Sequence, residues 1–439
     1  MSDATANGAF DRKTEGFKSE RHGLDPTDIA IGVVIGRTSE FFDFFVFAIA
    51  SVLVFPSLVF PFVDPVTGTL YSFAVFSLAF LARPFGTWLF MTIDRRHGKG
   101  TKLTIALFLL GTSTVVVAFL PSYAQIGNAS IWLLCLFRIG QGIAIAGTWD
   151  GLASLLAMNA PQRHKGWWAM LPQLGAPFGL ILATGLFAFF HGFLPREEFL
   201  SWGWQFPFFC AFAINVVALF SRLRIVATPE YVHQFERREL QATRVRETVR
   251  RFPRFIIAGA FAPLASFALF HMVTVYPLSW VNLFTDENVT HFLIIEGIGA
   301  AVCSVAIVAS GLLADRYGRR TLIFVTAIGI AVFSGLAPML LGQGQLGEVV
   351  YMGAGFILLG LAFGQSSGIV ASNFPTRYRY TGSAIVSDLA WLFGAGLSPF
   401  VALYLSEQFG LAAGGAYLFS GAVCTILALR YNRYLEHRR

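Results

Sequence analysis

Arg37, Glu40 and Asp43 stand three apart in the run Gly36-Arg37-Thr38-Ser39-Glu40-Phe41-Phe42-Asp43-Phe44, inside the first long apolar stretch of the chain. A helix turns about 100° per residue, so these charges fall on overlapping parts of one face while the phenylalanines spread to the other. A charge at the centre of a membrane-crossing helix costs about 2.5 to 3.5 kcal/mol on insertion scales, so the stripe must face protein or water rather than lipid. Carboxylates placed there can change protonation with their surroundings, and a guanidinium can receive a carboxylate in a two-pronged contact. Other polar groups interrupt later apolar stretches: Arg138 one turn before Gln141 and Gly142, His271, Glu296 and Asp388. Arg138 needs an anion, either Glu40 as a structural partner or a carboxylate of a bound molecule. His271 reads as hydrogen-bonded packing, and Glu296, near the outer end of its stretch, as a group within reach of water.

The elements that position these residues follow from composition. Hydrophobic residues make up 55% of the chain and charged residues only 13%, far from the quarter-charged profile of a soluble domain. The chain reads as a polytopic membrane protein. Cys135, Cys210, Cys303 and Cys424 lie singly in apolar segments, with no paired spacing for a metal or a disulfide framework. The net charge of +7 would suit a nucleic-acid partner, but its placement argues against one. Basic residues gather in alternate loops: Asp94-Arg95-Arg96-His97-Gly98-Lys99, Arg163 to Lys165, Arg222 to Arg254, Arg316 to Arg320, Arg377 to Arg379 and Arg430 to Arg439. The intervening loops hold a single one, Arg196. The positive-inside rule then puts both termini and the central loop in the cytoplasm. Residues 1–27 are polar, without an apolar core or a small-residue cleavage site, and read as a retained leader rather than a signal peptide.

Apolar runs of roughly 20 residues, long enough to span, predict twelve transmembrane helices. They lie near 29–56, 69–92, 102–121, 129–158, 167–190, 203–223, 254–283, 291–314, 321–341, 349–372, 381–404 and 412–430. The organisation expected is a leader at 1–27, a six-helix bundle at 28–224, a basic linker at 225–252 with an interfacial helix, a second six-helix bundle at 253–431 and a tail at 432–439. Asp94-Arg95 and Asp315-Arg316 follow the second and eighth spans, and Pro161-Gln162-Arg163 and Pro375-Thr376-Arg377 follow the fourth and tenth. Matching loops at nearly constant offset indicate one six-helix unit duplicated in parallel, with a cavity between pseudo-symmetric halves. The abundant phenylalanine is spread through every span and reads as packing and lipid-facing surface. Tyr276-Pro277 is expected to break the seventh helix.

At Gly311-Leu-Leu-Ala-Asp315-Arg316-Tyr317-Gly318-Arg319-Arg320 the chain resembles the signature loop of the major facilitator superfamily. More narrowly it is similar to the metabolite:H⁺ symporter branch, the carriers of proline/betaine, α-ketoglutarate, citrate and shikimate. The motifs run in order: Glu40 to Phe44, Arg83-Pro84-Phe85-Gly86, Arg138-Ile-Gly-Gln141-Gly142, Gln173-Leu-Gly175-Ala-Pro177-Phe-Gly179, Trp202-Gly203-Trp204, Thr228-Pro229-Glu230 and Phe374-Pro375-Thr376-Arg377 with Tyr380-Thr381-Gly382. The resemblance implies a conformational latch at Asp94, Arg95, Gly311, Asp315, Arg316, Gly318 and Arg319. In the first copy, Phe90 replaces a usual glycine.

Departures from the branch set further expectations. Its fourth-span acid is Thr148 here, with Asp150 two residues on, while Asp388 stands where asparagine is frequent, and Arg37 replaces a small or polar residue. The proton-coupling set is therefore expected to be Glu40, Asp43, Asp150 and Asp388, with Arg37 and Arg138 as counter-ions. Substrate contacts are expected at Arg37, Arg138, Gln141, Trp149 and Tyr276. The function implied is a proton-coupled symporter, working as a monomer in a bacterial inner membrane and importing a small polar metabolite, with a carboxylate favoured by the intramembrane arginines. A betaine-like osmolyte is the rival substrate, although osmosensing carriers tend to have a long C-terminal extension and this chain ends at Arg439. The Gly175 to Gly179 run also leaves a proton-driven exporter open. No cofactor is expected, and no nucleotide-binding loop, metal cluster or nucleophile grouping points to an enzyme.

Overall fold

The structure, a computed structural model, describes residues 26–148, 162–226, 241–366 and 374–437. Trp149, Asp150, the leader as far as residue 25 and the linker from 227 to 240 lie outside the described residues. Everything regular within them is helical, the solution open to an apolar chain whose backbone must satisfy its own hydrogen bonds in lipid.

The first six spans are α1 (Pro26–Leu53), α2 (65–97) and α3 (99–118), α4 (Asn128–Gly147), α5 (Lys165–Phe193) and α6 (Gln205–Val226). The second six are α7 (Pro253–Phe284), α8 (Val289–Tyr317), α9 (Arg319–Leu341), α10 (Gly344–Phe363), α11 (Arg377–Phe409) and α12 (Leu411–His437). Helices α2 and α3 form one continuous run hinged at Gly98, whose φ of 81° and ψ of 170° cost a residue without Cβ little. Helix α7 breaks at Val275 (φ −131°, ψ −48°) ahead of Tyr276 and Pro277, as the sequence predicts, because Pro277 offers no amide to the preceding turn. Helix α11 carries a π-helical turn at Trp391–Gly396. Of the linker, a short helix at Val245–Arg251 is described.

The two sets of six meet along α5 with α8 and α2 with α11, and the last segment of α7 also packs on α1. Small residues allow the closest approaches, as in membrane bundles generally. A Cβ on Gly175 would stand 2.5 Å from the Arg37 Cβ, and one on Gly166 would stand 2.7 Å from the Gly311 carbonyl oxygen. Between the halves lies an aromatic cluster of Phe41, Phe45, Phe80, Phe270, Phe363 and Trp391, with Phe45 stacked on Phe270 at 5.7 Å. Phenylalanine supplies both outward-facing surface, as at Phe108 and Phe193, and core packing, as the sequence leads one to expect. Counting by span spreads it evenly, whereas the fold gathers these rings from α1, α2, α7, α10 and α11 into one wall.

Candidate functional site

A cavity of about 40 Å³ beside that aromatic wall is bounded by Arg37, Glu40, Phe41, Phe80, Arg83 and Trp391 among others, and each of its two arginines is paired with a carboxylate. The first pair is local. Arg37 donates from Nη1 to Glu40 Oε2 at 2.6 Å, the i, i+3 contact that the spacing on α1 requires. The second spans the halves: Arg83 of α2 donates from Nε to Asp388 Oδ1 of α11 at 3.1 Å, and the Thr87 hydroxyl also donates to Asp388. Arg37 lies 4.9 Å from the Phe41 ring centre and Arg83 5.8 Å from that of Trp391, so both guanidiniums rest on aromatic faces.

Behind the cavity a buried polar chain runs through the first half. Arg138, with 0% of its surface exposed, donates to the Phe76 carbonyl at 3.1 Å and to Gln141 Oε1 at 3.0 Å. Gln141 donates to Thr114 Oγ1 at 3.0 Å, and the Thr114 hydroxyl donates to Asp43. Asp43 and Arg138 are each other's opposing charge, but they meet through Gln141 and Thr114 rather than directly. One oxygen of Asp43 and one nitrogen of Arg138 are left without a partner. The guanidinium is packed 4.0 Å from the centre of Phe47 and 4.7 Å from that of Phe76.

The two ends of the bundle differ. At the end bearing Asp315, its carboxylate accepts from the amides of Gly166 at 2.6 Å and Trp167 at 3.1 Å, at the start of α5, where a helix N-terminus attracts negative charge. Arg319 donates to Gln365 Oε1 at 3.1 Å and to the Lys165 carbonyl at 3.3 Å, and Gln365 donates to the Gly166 carbonyl at 3.0 Å. The repeat of this loop makes a second clasp: Lys102 lies 3.7 Å from Asp94 and donates to Tyr380 at 2.8 Å, while the Tyr380 hydroxyl donates to Asp94 at 3.3 Å. Arg95 donates to the Thr243 carbonyl at 3.0 Å, and the Thr243 amide donates to Thr381 at 2.8 Å, so the linker is held between α2 and α11. At the opposite end a vestibule of about 730 Å³ opens between the halves, lined by residues that include Ser57, His191, Arg196, Asn282 and Val289.

Twelve spans in two packed sets, a clasp repeated at equivalent loops and paired charges between the sets together define the architecture. The Major Facilitator Superfamily sequence model matches residues 33–399. The chain belongs to that superfamily. It is 34% identical over 419 residues to the inner membrane metabolite transport protein YhjE of Escherichia coli K12, covering 93% of this chain and 94% of that one. It is 29% identical to the shikimate transporter of the same organism, covering 91% and 92% respectively. Among solved structures, a D-xylose–proton symporter shares the fold with a TM-score of 0.69 at 18% identity, over 92% of this chain and 96% of that one. The protein is a membrane transporter of this superfamily and not an enzyme.

Within a major facilitator frame, the expected residues sort as follows. Arg37 and Glu40 border the cavity and Asp388 meets it through Arg83, whereas Asp43, Arg138 and Gln141 form the buried chain behind it. Glu40 is paired with Arg37, so the expected alternative of Glu40 as the structural partner of Arg138 is replaced by Asp43, one turn further along α1. Tyr276 does not border the cavity: its hydroxyl meets Ser406 at 2.7 Å in the second half. Arg316 is exposed and rests over Tyr317, and Gly318, at φ 86°, makes the sharp turn between α8 and α9. Glu296 is 1% exposed, not reached by water as expected, because its helix presents that face to α5 and α10. His271 is buried among Phe44, Phe76 and Phe270, with Nδ1 3.3 Å from the Thr274 hydroxyl. Sequence reasoning missed Arg83 as a site residue. It was visible as an arginine inside an apolar run, but its pairing with a residue some three hundred positions away was not.

Proposed function

We propose that the protein is a proton-coupled symporter that imports a small carboxylate, with Arg37 and Arg83 as the anion-receiving groups. The observation that carries this reading is the cavity itself, where each guanidinium is already held by a carboxylate of the chain, one of them across the two halves. An incoming carboxylate competes with Glu40 for Arg37 and with Asp388 for Arg83, and a bidentate contact favours the ligand. The displaced acid is then a buried charge without its partner, a state that costs about 3 to 5 kcal/mol, and binding a proton relieves it. Substrate and proton thus enter together. The Arg83–Asp388 pair joins the halves, so its release also loosens α2 from α11 and permits alternating access. Asp43 and Arg138 form a second such couple within the first half, holding the acid that responds when the cavity changes occupancy.

Import suits the clustering of basic residues at the Asp315 end, which assigns that end to the cytoplasm by the positive-inside rule, and the inner-membrane location of the relative YhjE supports the same membrane. Both pairs come from one chain, so a monomer is the working unit. A second reading, a betaine-like zwitterion, is favoured by the aromatic lining of the cavity by Phe41, Phe44, Phe80 and Trp391, since such faces attract quaternary ammonium groups. The coupling is tested by replacing each acid with its amide (Glu40→Gln, Asp43→Asn, Asp150→Asn, Asp388→Asn) and following substrate-induced proton uptake. At least one variant is expected to bind or exchange substrate without moving protons; full coupling in all of them would contradict the assignment.

A further inference from the structure

Helix α8 carries one carboxylate that neither the pairs nor the clasp at Asp315 uses. Glu296 is 1% exposed, and both of its carboxyl oxygens are buried without a hydrogen-bond partner. Among the described residues it has no cation within ion-pair distance, unlike Glu40 and Asp388. The buried face of α8 packs on α5 and α10. A Cβ on its neighbour Gly297 would stand 3.1 Å from the Thr184 hydroxyl of α5, and one on Gly299 would stand 2.3 Å from the Phe356 ring of α10. Glu296 therefore sits on α8 between the seam joining the halves and the interior of the second half. Titratable groups on the elements packed around it are His191 and Lys165 of α5, Tyr351 and Glu348 of α10, Arg254, His271 and Tyr276 of α7, Arg319 and Arg320 of α9 and, on α8 itself, His291, Cys303, Asp315, Arg316 and Tyr317. None of them bonds to it.

A carboxylate removed from water with no partner costs far more in ionised form than as the neutral acid. The same group becomes a tolerable anion once the seam parts and water reaches it. We infer that Glu296 is a proton-binding site of the second half, holding its proton while the α5–α8 seam is closed and exchanging it when the seam opens. The step is a simple protonation: hydronium from the vestibule gives its proton to the carboxylate and leaves as water while the seam is parted, and on the next opening the O–H bond breaks and the proton returns to water as hydronium. The route is short. His191 and Val289, at the vestibule ends of α5 and α8, both line the vestibule, and the seven residues from Val289 to Glu296 rise about 10 Å along the helix. His191 Nδ1 meets the Thr290 hydroxyl at 2.9 Å where the seam closes. The inference rests on proton coupling as the mode of transport but adds a site that neither Arg37 nor Arg83 touches.

Geometry offers a way to hold the seam shut. A Cβ on Gly192 would lie 3.8 Å from the Thr290 Cβ, the usual Cβ separation in a disulfide. The test uses the full chain in lipid nanodiscs, with Cys135→Ala, Cys210→Ala, Cys303→Ala and Cys424→Ala as background, and infrared difference spectroscopy as the readout. At neutral pH the spectrum is expected to contain the carbonyl stretch of a protonated carboxylic acid that is lost in Glu296→Gln, a neutral isostere that keeps the packing. In heavy water this band is expected to shift promptly, and at least tenfold more slowly once the cysteines of Gly192→Cys and Thr290→Cys are oxidised. A band that survives Glu296→Gln overturns the site, and exchange as fast with the cross-link as without it overturns the seam as its route. The mode of transport is judged separately: uptake by the wild type that persists with a protonophore would remove symport without changing the spectral result.

Discussion

At the scale of residues, the transporter depends on balancing charge that an apolar environment would otherwise reject. Arg83 and Asp388 illustrate this most directly, because their 3.1 Å contact is made between helices of different halves. Arg83→Gln leaves Asp388 without its cation, and Asp388→Asn leaves Arg83 without its anion. Each single variant is expected to lower the melting temperature in detergent, consistent with a loss of about 3 to 5 kcal/mol when one member of a buried pair is removed. The double variant Arg83→Gln/Asp388→Asn should recover much of that stability, but not proton-coupled uptake. Additive losses in a double-mutant cycle on thermal unfolding would show that the pair is not coupled. The charges themselves were legible in the sequence: Arg37, Glu40 and Asp43 stand out at helical spacing in an apolar run. Their partners were not legible, because spacing fixes which face a side chain takes but not which helix faces it. Hence the spacing leaves Arg138 either Glu40 or a bound carboxylate as its anion, while the fold gives it Asp43 through Gln141 and Thr114.

At the scale of elements, close helix approach and a docked linker set the geometry. A Cβ on Gly179 would lie 2.7 Å from the Phe42 amide nitrogen, whereas one on Gly185, on the same helix, would meet nothing within 4 Å. Gly179→Val is therefore expected to push α5 away from α1 at a cost of about 1 to 3 kcal/mol, read as a lower melting temperature and lost uptake, while Gly185→Ala leaves both intact. The linker helix is pinned by Glu247, which accepts from the Tyr378 hydroxyl at 2.5 Å, while Arg251 donates to the same hydroxyl at 3.1 Å. The Tyr378 hydrogen bond, then the nearby Arg377 and Arg251 charges, hold the Glu247 carboxyl below its usual range. A carboxyl depressed on docking stabilises the docked state above its ordinary value and loses that contribution as pH falls through the depressed one. Protection factors at residues 245–251, with the intrinsic pH dependence of amide exchange divided out, should thus fall as pH drops below the ordinary carboxylate range, and Glu247→Gln should flatten that dependence. Protection in the wild type that is insensitive to acid would contradict the docking role. Helix positions and the break at Tyr276-Pro277 were readable from hydropathy and proline chemistry, but the hinge at Gly98 needed backbone geometry, since a positive φ leaves no trace in hydropathy.

At the scale of the whole molecule, the structure is closed at the Asp315 end and open at the vestibule, with an aromatic wall between. The clasp at Asp315, Arg319 and Gln365 binds the start of α5, and the repeated loop adds Asp94, Lys102 and Tyr380, so both copies of the motif join the halves in this state. Pairs that form in one conformation bias the equilibrium toward it, which suits a carrier that must close one side before opening the other. The twelve spans and the duplicated loops were legible because apolar length and loop charge are one-dimensional signals. The cavity was not, since it is assembled from α1, α2, α4 and α11 by packing. The central claim is that filling this cavity with a carboxylate draws a proton with it. The direct measurement is uptake by energised cells of a panel of mono-, di- and tricarboxylates, aromatic acids and betaines, with and without a protonophore. The account predicts concentrative uptake of at least one carboxylate that collapses with the protonophore; unimpaired uptake with the protonophore present, or accumulation only in everted vesicles, would contradict it.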